Sequence, residues 1–173
     1  MARETFFAVP TSDINRNGIT TGKVDATTMS ELDKYICNPL TTGENPHPEV
    51  KGDRLALRSG VDGWGPPDKN VRMTWWPISE PFEMISEAHA HDFDQFILFV
   101  GGDITNMMDL GGEVELWLGE SADTMEKFTF TQAAFVSVPA GLYHCPLNFK
   151  KINDPSKPIL FHDMFFASEY GRK

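Results

Sequence analysis

Cysteine, positive charge and long apolar runs are all scarce in this chain. Its two cysteines, Cys37 and Cys145, make no disulfide framework, and both read as reduced thiols. No apolar run approaches the ~18 residues of a membrane-spanning helix. The N-terminus lacks the charged-then-apolar pattern of a secretory signal, so the expected location is the cytoplasm. Lys and Arg number 15 against 25 Asp and Glu, for a formal net charge of −10. That balance argues against nucleic acid and anionic membranes as partners. Also missing are a phosphate-cradling GxxxxGK[ST], a G-x-S-x-G elbow, a CxxC pair, an N-x-[ST] sequon and any convincing internal repeat.

What the chain does have is a single domain's length, 173 residues, and many short strand-like segments. The first part is rich in turns. Residues 28–37 read as its one helix: Met29, Leu32, Tyr35 and Ile36 recur at helical spacing, and Asn38-Pro39 ends the pattern. A short strand is expected at residues 54–58, and Gly63-Trp64-Gly65-Pro66-Pro67 marks a break. Beyond it, aromatic and β-branched residues predict strands at 71–76, 82–85, 88–91, 95–100, 113–118, 127–131, 134–138, 143–146 and 159–167. Turn residues such as Gly101-Gly102 and Pro139-Ala140-Gly141 separate them. Many short strands at this spacing predict an all-β sandwich or barrel. Residues 71–173 are expected to form the barrel, and residues 1–70 an N-terminal extension that covers or completes it.

Three of the five histidines fall in two segments. His89-Ala90-His91 comes first, with Gln95 four residues on, and Pro139-x-Gly141-x-x-His144 follows. Residues two apart on a strand share a face, so His89 and His91 are expected to project together. His144, on a distant strand, can close a third corner around one ion. Imidazole suits Zn, Fe, Cu and Ni.

These segments resemble the two motifs of the cupin superfamily. The first reads HxHxxxE, six residues, then Gly; His89, His91 and Gly102 match, while Gln95 stands where the family has Glu and Glu83 where it has Gly. The second reads Gly, five residues, then PxGxxHxxxN; Pro139, Gly141, His144 and Asn148 match, with Ala133 replacing the leading Gly. The resemblance covers roughly residues 71–165. It implies a cupin-type double-stranded jelly-roll barrel and one divalent transition metal, Fe, Zn, Mn or Ni, held by His89, His91, His144 and Gln95. It also makes a homodimer plausible.

Gln95 offers a neutral carbonyl oxygen in place of a carboxylate. It reads as a weak ligand, as a group beside the ligands, or as the mark of a site without turnover. Glu87 is a possible replacement carboxylate, because an unbroken strand would aim it with His89 and His91. His162 is a possible general acid or base if it faces inward; the other parity sends Phe161, Asp163 and Phe165 inward instead. Cys145 has opposite parity to His144 and is expected to be packed. Thirteen Phe and eight Met predict an apolar pocket for a small molecule, with Met73, Trp75 and Phe99 as candidate wall residues. The leading expectation is a metal-dependent enzyme, oxygenase-like or an isomerase or lyase. The alternative is a binding or sensing barrel with a weakened metal site.

Overall fold

In the computed structural model the described residues are 35–37, 40, 45–58 and 70–173. The chain divides into two compact units, Met1–Ser30 and Glu31–Lys173. The first lies outside the described residues, as does most of the helix expected at 28–37.

Among the described residues nine strands follow in order: β1 Leu55–Arg58, β2 Val71–Ile78, β3 Phe82–Ile85, β4 Gln95–Gly101, β5 Asp109–Gly119, β6 Glu126–Gln132, β7 Ala134–Val138, β8 Tyr143–Ile152 and β9 Ile159–Phe166. They form a five-stranded sheet, β1-β2-β9-β4-β7, and a four-stranded sheet, β3-β8-β5-β6. Every strand pairing is antiparallel. This is the double-sheet jelly roll expected of the sequence. Leu55–Arg58 pairs with Arg72–Trp75 at the edge of the five-stranded sheet.

Alternation sets the inner faces. In β4, Gln95, Ile97, Phe99 and Gly101 are buried while the residues between them are partly exposed. Phe99 and Phe161 of the five-stranded sheet meet Phe149 of the four-stranded sheet, with ring centroids 6.2 Å and 5.9 Å away. Val114, Leu116, Ile78 and Ile159 fill the space around them. This packed aromatic centre holds the two sheets together.

Two motif glycines are required by geometry. Gly141 has φ of +89°, a conformation that side-chain-bearing residues rarely adopt. At Gly102 a Cβ would lie 2.3 Å from the Pro158 carbonyl oxygen. The expected strand at 88–91 is absent. His89 makes only an isolated antiparallel bridge to His144.

Candidate metal centre

The site lies where β4 and β8 begin and where the loop before β4 crosses them. His89 and His144 exchange both backbone hydrogen bonds of their bridge, at 3.1 Å and 2.9 Å. The Gly141 N–H donates to the His91 carbonyl, and the Ala140 N–H to the Asp94 carboxylate. The Pro139–Gly141 turn of the second motif thus clamps the loop of the first. The result is a cluster of three buried rings. Centroids are 4.3 Å apart for His89 and His144, 4.9 Å for His89 and His91, and 5.0 Å for His91 and His144.

Each ring is held by its Nδ1. His89 Nδ1 meets the Glu87 carbonyl at 3.0 Å, His91 Nδ1 the Gly171 carbonyl, and His144 Nδ1 the Leu142 carbonyl at 3.5 Å. A carbonyl oxygen only accepts, so Nδ1 carries the proton and Nε2 presents a lone pair. Phe93 stacks on the His91 ring at 4.6 Å, and Tyr170 lies against it at 4.7 Å. Burial lowers the proton affinity of all three imidazoles, and His144, pressed further by His89 and His91, falls to about 3. The cluster is neutral at physiological pH, the state that binds metal.

Three buried atoms have no hydrogen-bond partner among the described residues of the cluster: His89 Nε2, His91 Nε2 and Gln95 Oε1. All three are acceptors, and acceptors cannot satisfy one another. Leaving each unmet costs about 1–3 kcal/mol. A cation with several open positions meets this need, so the residues fit a transition-metal ion.

Gln95 is 5% exposed and its Nε2 donates to Asp163 Oδ1 at 2.8 Å. Asp163 lies on β9 opposite Thr74 and Ile97. Burial pushes its carboxyl up to about 6, against the hydrogen bond from Gln95 and the charge of Arg54.

The tightest ligand group differs from the one expected. His89, His144 and Cys145 bring one ligand atom each within 4.8 Å of the others, and His91 flanks this group. Cys145 faces the site because β8 bulges there: Leu116 and Leu118 of β5 oppose Leu147 and His144 of β8, so β8 carries one extra residue. Cys145 takes up the irregularity with φ of +71°. Alternation therefore fails, and His144 and Cys145 both line the cavity. The same bulge puts Leu147 and Phe149 inward and leaves Asn148 out of phase with His144. Burial pushes the Cys145 thiol up to about 12, so without a cation it stays protonated.

A cavity of about 340 Å³ opens beside the histidines. Trp76, Phe161, Phe165, Ile97, Met84 and Leu147 supply apolar wall, and Asp163, Arg172 and His47 supply polar groups. Met73 lines it, and Trp75 and Phe99 do not. Trp75 points away from the Trp76 face and stacks on His162, with centroids 4.2 Å apart. Phe99 is fully buried in the aromatic centre. His162 is also turned away from the cavity, its Nδ1 on the Thr74 carbonyl at 2.8 Å. The parity of β9 is the one that sends Phe161, Asp163 and Phe165 inward. Glu87 is exposed and contributes its backbone carbonyl to His89, because the strand that would have aimed its carboxylate does not form.

Sequence reasoning passed over the C-terminal tail. Gly171, Tyr170 and Arg172 reach the site because Lys173 and Ala90 exchange backbone hydrogen bonds at 2.8 Å and 3.5 Å. No periodic pattern marks that segment. Proline flanks hid His47, which lies 5.5 Å from Trp76 between ring centroids.

Two antiparallel sheets, with both histidine segments at one end, define a cupin-type barrel. No family model and no curated protein matches the chain. Among solved structures, it is similar to an oxalate oxidase in complex with the substrate analogue glycolate: 16% identity, 93% of this chain and 74% of that one, TM-score 0.51. It is also similar to a Bacillus halodurans protein, at 14% identity over 88% of this chain and 89% of that one, TM-score 0.45. A Bacillus subtilis oxalate decarboxylase variant is 13% identical over 68% of this chain, TM-score 0.45. The chain spans only 26% of that decarboxylase. At 16% identity the likeness to the oxalate oxidase shows the cupin fold alone.

Proposed function

We propose that the protein is a metal-dependent enzyme that transforms a small organic molecule in the barrel. The carrying observation is the set of three buried, unpartnered acceptors, His89 Nε2, His91 Nε2 and Gln95 Oε1, beside an apolar cavity. His144 completes the ligand set, and Cys145 stands within reach of it. A bound divalent ion of the Fe, Mn, Ni or Zn group supplies Lewis acidity and open coordination positions. The chain's own groups do the rest. Trp76, Phe161 and Phe165 exclude water and present an apolar wall to the substrate's body. Arg172 brings positive charge to the histidine end, where it favours an anionic group.

A dioxygenase-like oxidation is the first reading, because three neutral imidazoles with a neutral amide suit an iron site open to several small ligands. Proton transfer, as in an isomerase or lyase, is the second. Asp163 favours it: a half-buried carboxyl on the cavity wall with its proton affinity raised towards neutrality is suited to take and return a proton at Oδ1 or Oδ2.

The test is a set of separate reconstitutions with Fe(II), Mn(II), Ni(II) and Zn(II), each offered a panel of small aromatic and aliphatic acids. Oxygen uptake confined to the Fe(II) protein supports oxidation. Anaerobic exchange of substrate C–H for deuterium supports proton transfer. Tight binding of a panel member without either reaction would replace the enzyme reading with a binding or sensing barrel.

A further inference from the structure

The Gln95–Asp163 hydrogen bond is partly buried, and its two ends differ in kind. Gln95 Nε2 donates to Asp163 Oδ1 at 2.8 Å, while Gln95 Oε1 is buried with no partner among the described residues. An ionised carboxylate only accepts, so it binds the amide by its N–H₂ end. That choice turns the carbonyl end the other way. Gln95 lines the same cavity as His89 and His144. The chain therefore uses one strand neighbour, β9, to set the direction of an amide on β4.

We infer that Asp163 is the positioning residue of the metal centre: it locks the Gln95 amide with Oε1 towards the ion and supplies, one hydrogen bond removed, the negative charge that a glutamine ligand lacks. The two residues act as one unit, a divided carboxylate. The near part is a neutral oxygen that coordinates weakly. The far part is an anion that neutralises part of the ion's charge without occupying a coordination position. Groups outside the ligands act in this way by fixing orientation and basicity. A free glutamine amide could rotate and present its N–H₂ to the ion, which repels it. With Asp163 in place that rotation would set a carbonyl oxygen against a carboxylate. The hydrogen bond from Gln95 and the charge of Arg54 both favour the ionised carboxylate of Asp163, against its burial. A purely structural pairing would explain the 2.8 Å contact but not the unpartnered Oε1.

The inference rests on the metal centre proposed above, and the experiment separates the two. Co(II) affinity is measured by chelator competition, and the visible absorption spectrum of the Co(II) protein is recorded alongside. The proteins are wild type, Asp163→Asn, Gln95→Glu/Asp163→Asn and Gln95→Leu. Near-ultraviolet circular dichroism of the apoproteins confirms that each variant is folded. Asp163→Asn keeps the shape but loses the charge and lets the amide turn, so affinity should fall by roughly 10–100-fold and the cobalt spectrum should shift. Gln95→Leu should fall as far or further. In the double variant the carboxylate moves to the near position and the amide to the far one, with the hydrogen bond reversed. That swap should recover most of the lost affinity. If wild type binds Co(II) and Asp163→Asn binds it equally with an unchanged spectrum, the inference fails while the metal centre stands. A double variant no better than Asp163→Asn also overturns it. If wild type does not bind Co(II), both the inference and the metal reading fall.

Discussion

His89 and His144, 55 residues apart in sequence, exchange both backbone hydrogen bonds of an antiparallel bridge, and their rings lie 4.3 Å apart. The site is therefore assembled by main chain before any ion is needed. The Pro139–Gly141 turn is the device that sets this register, through the Gly141 N–H on the His91 carbonyl at 2.8 Å. Gly141→Ala would force a side chain into positive φ at a cost of about 1–2 kcal/mol, with no steric clash to add to it. Gly102→Ala should cost more, because its Cβ would meet the Pro158 carbonyl oxygen. Denaturant midpoints of the two variants should fall in that order.

His162 and Trp75 stack with an interplanar angle of 21°, away from the cavity. His162→Phe should keep metal binding and lose stability, because the Thr74 carbonyl loses its donor. The expected loss is about 1–3 kcal/mol. Chemical denaturation and metal titration of the same variant check both halves. A large fall in metal affinity with stability intact would place His162 at the site after all.

Phe99 lies 5.6 Å from Phe161 and 5.7 Å from Phe130, centroid to centroid, with no exposure to solvent. Phe99→Ala should destabilise the fold by about 3–5 kcal/mol, as truncation of a buried aromatic does. Trp76→Ala removes cavity wall instead and should weaken ligand binding directly. Thermal unfolding with and without ligand separates the two effects.

The apoprotein should lose stability in mild acid. Buried His144 titrates at about 3 against an ordinary 6.5, so as the pH falls the unfolded chain takes the proton first. Folding stability from this group is complete above 6.5 and is lost as the pH drops towards 3. Burial moves His47, His89, His91 and His162 in the same direction. Asp163 opposes them: raised from 3.8 to about 6, it stabilises at low pH and loses that contribution as the pH rises through this window. His144 shifts further from its ordinary value than Asp163 does, so the net slope follows the histidines. Metal keeps the imidazoles unprotonated, so the loaded protein should unfold at a lower pH than the apoprotein. Acid titrations followed by circular dichroism test the difference.

The barrel was legible because alternation and turn residues survive in sequence. Phe82–Ile85 and Ala134–Val138 form as expected. The histidines were legible because two spaced patterns point to them. What failed did so where alternation fails. A bulge in β8 breaks the parity between His144 and Cys145, although Cys145 is packed as expected, and a loop in place of a strand leaves Glu87 exposed. Parity along β9 decided between His162 and Asp163, and sequence alone left both open. The tail residues Tyr170 and Arg172 carry no pattern, since a contact between a chain end and a distant loop depends on tertiary packing.

Elemental mass spectrometry, on protein purified without chelator or metal-affinity resin, shows whether His89, His91 and His144 hold an ion. A His89→Ala/His144→Ala variant is analysed alongside. Near-stoichiometric Fe, Mn, Ni or Zn is expected in the wild type and none in the variant. No metal in either, even after reconstitution with each ion, would contradict it.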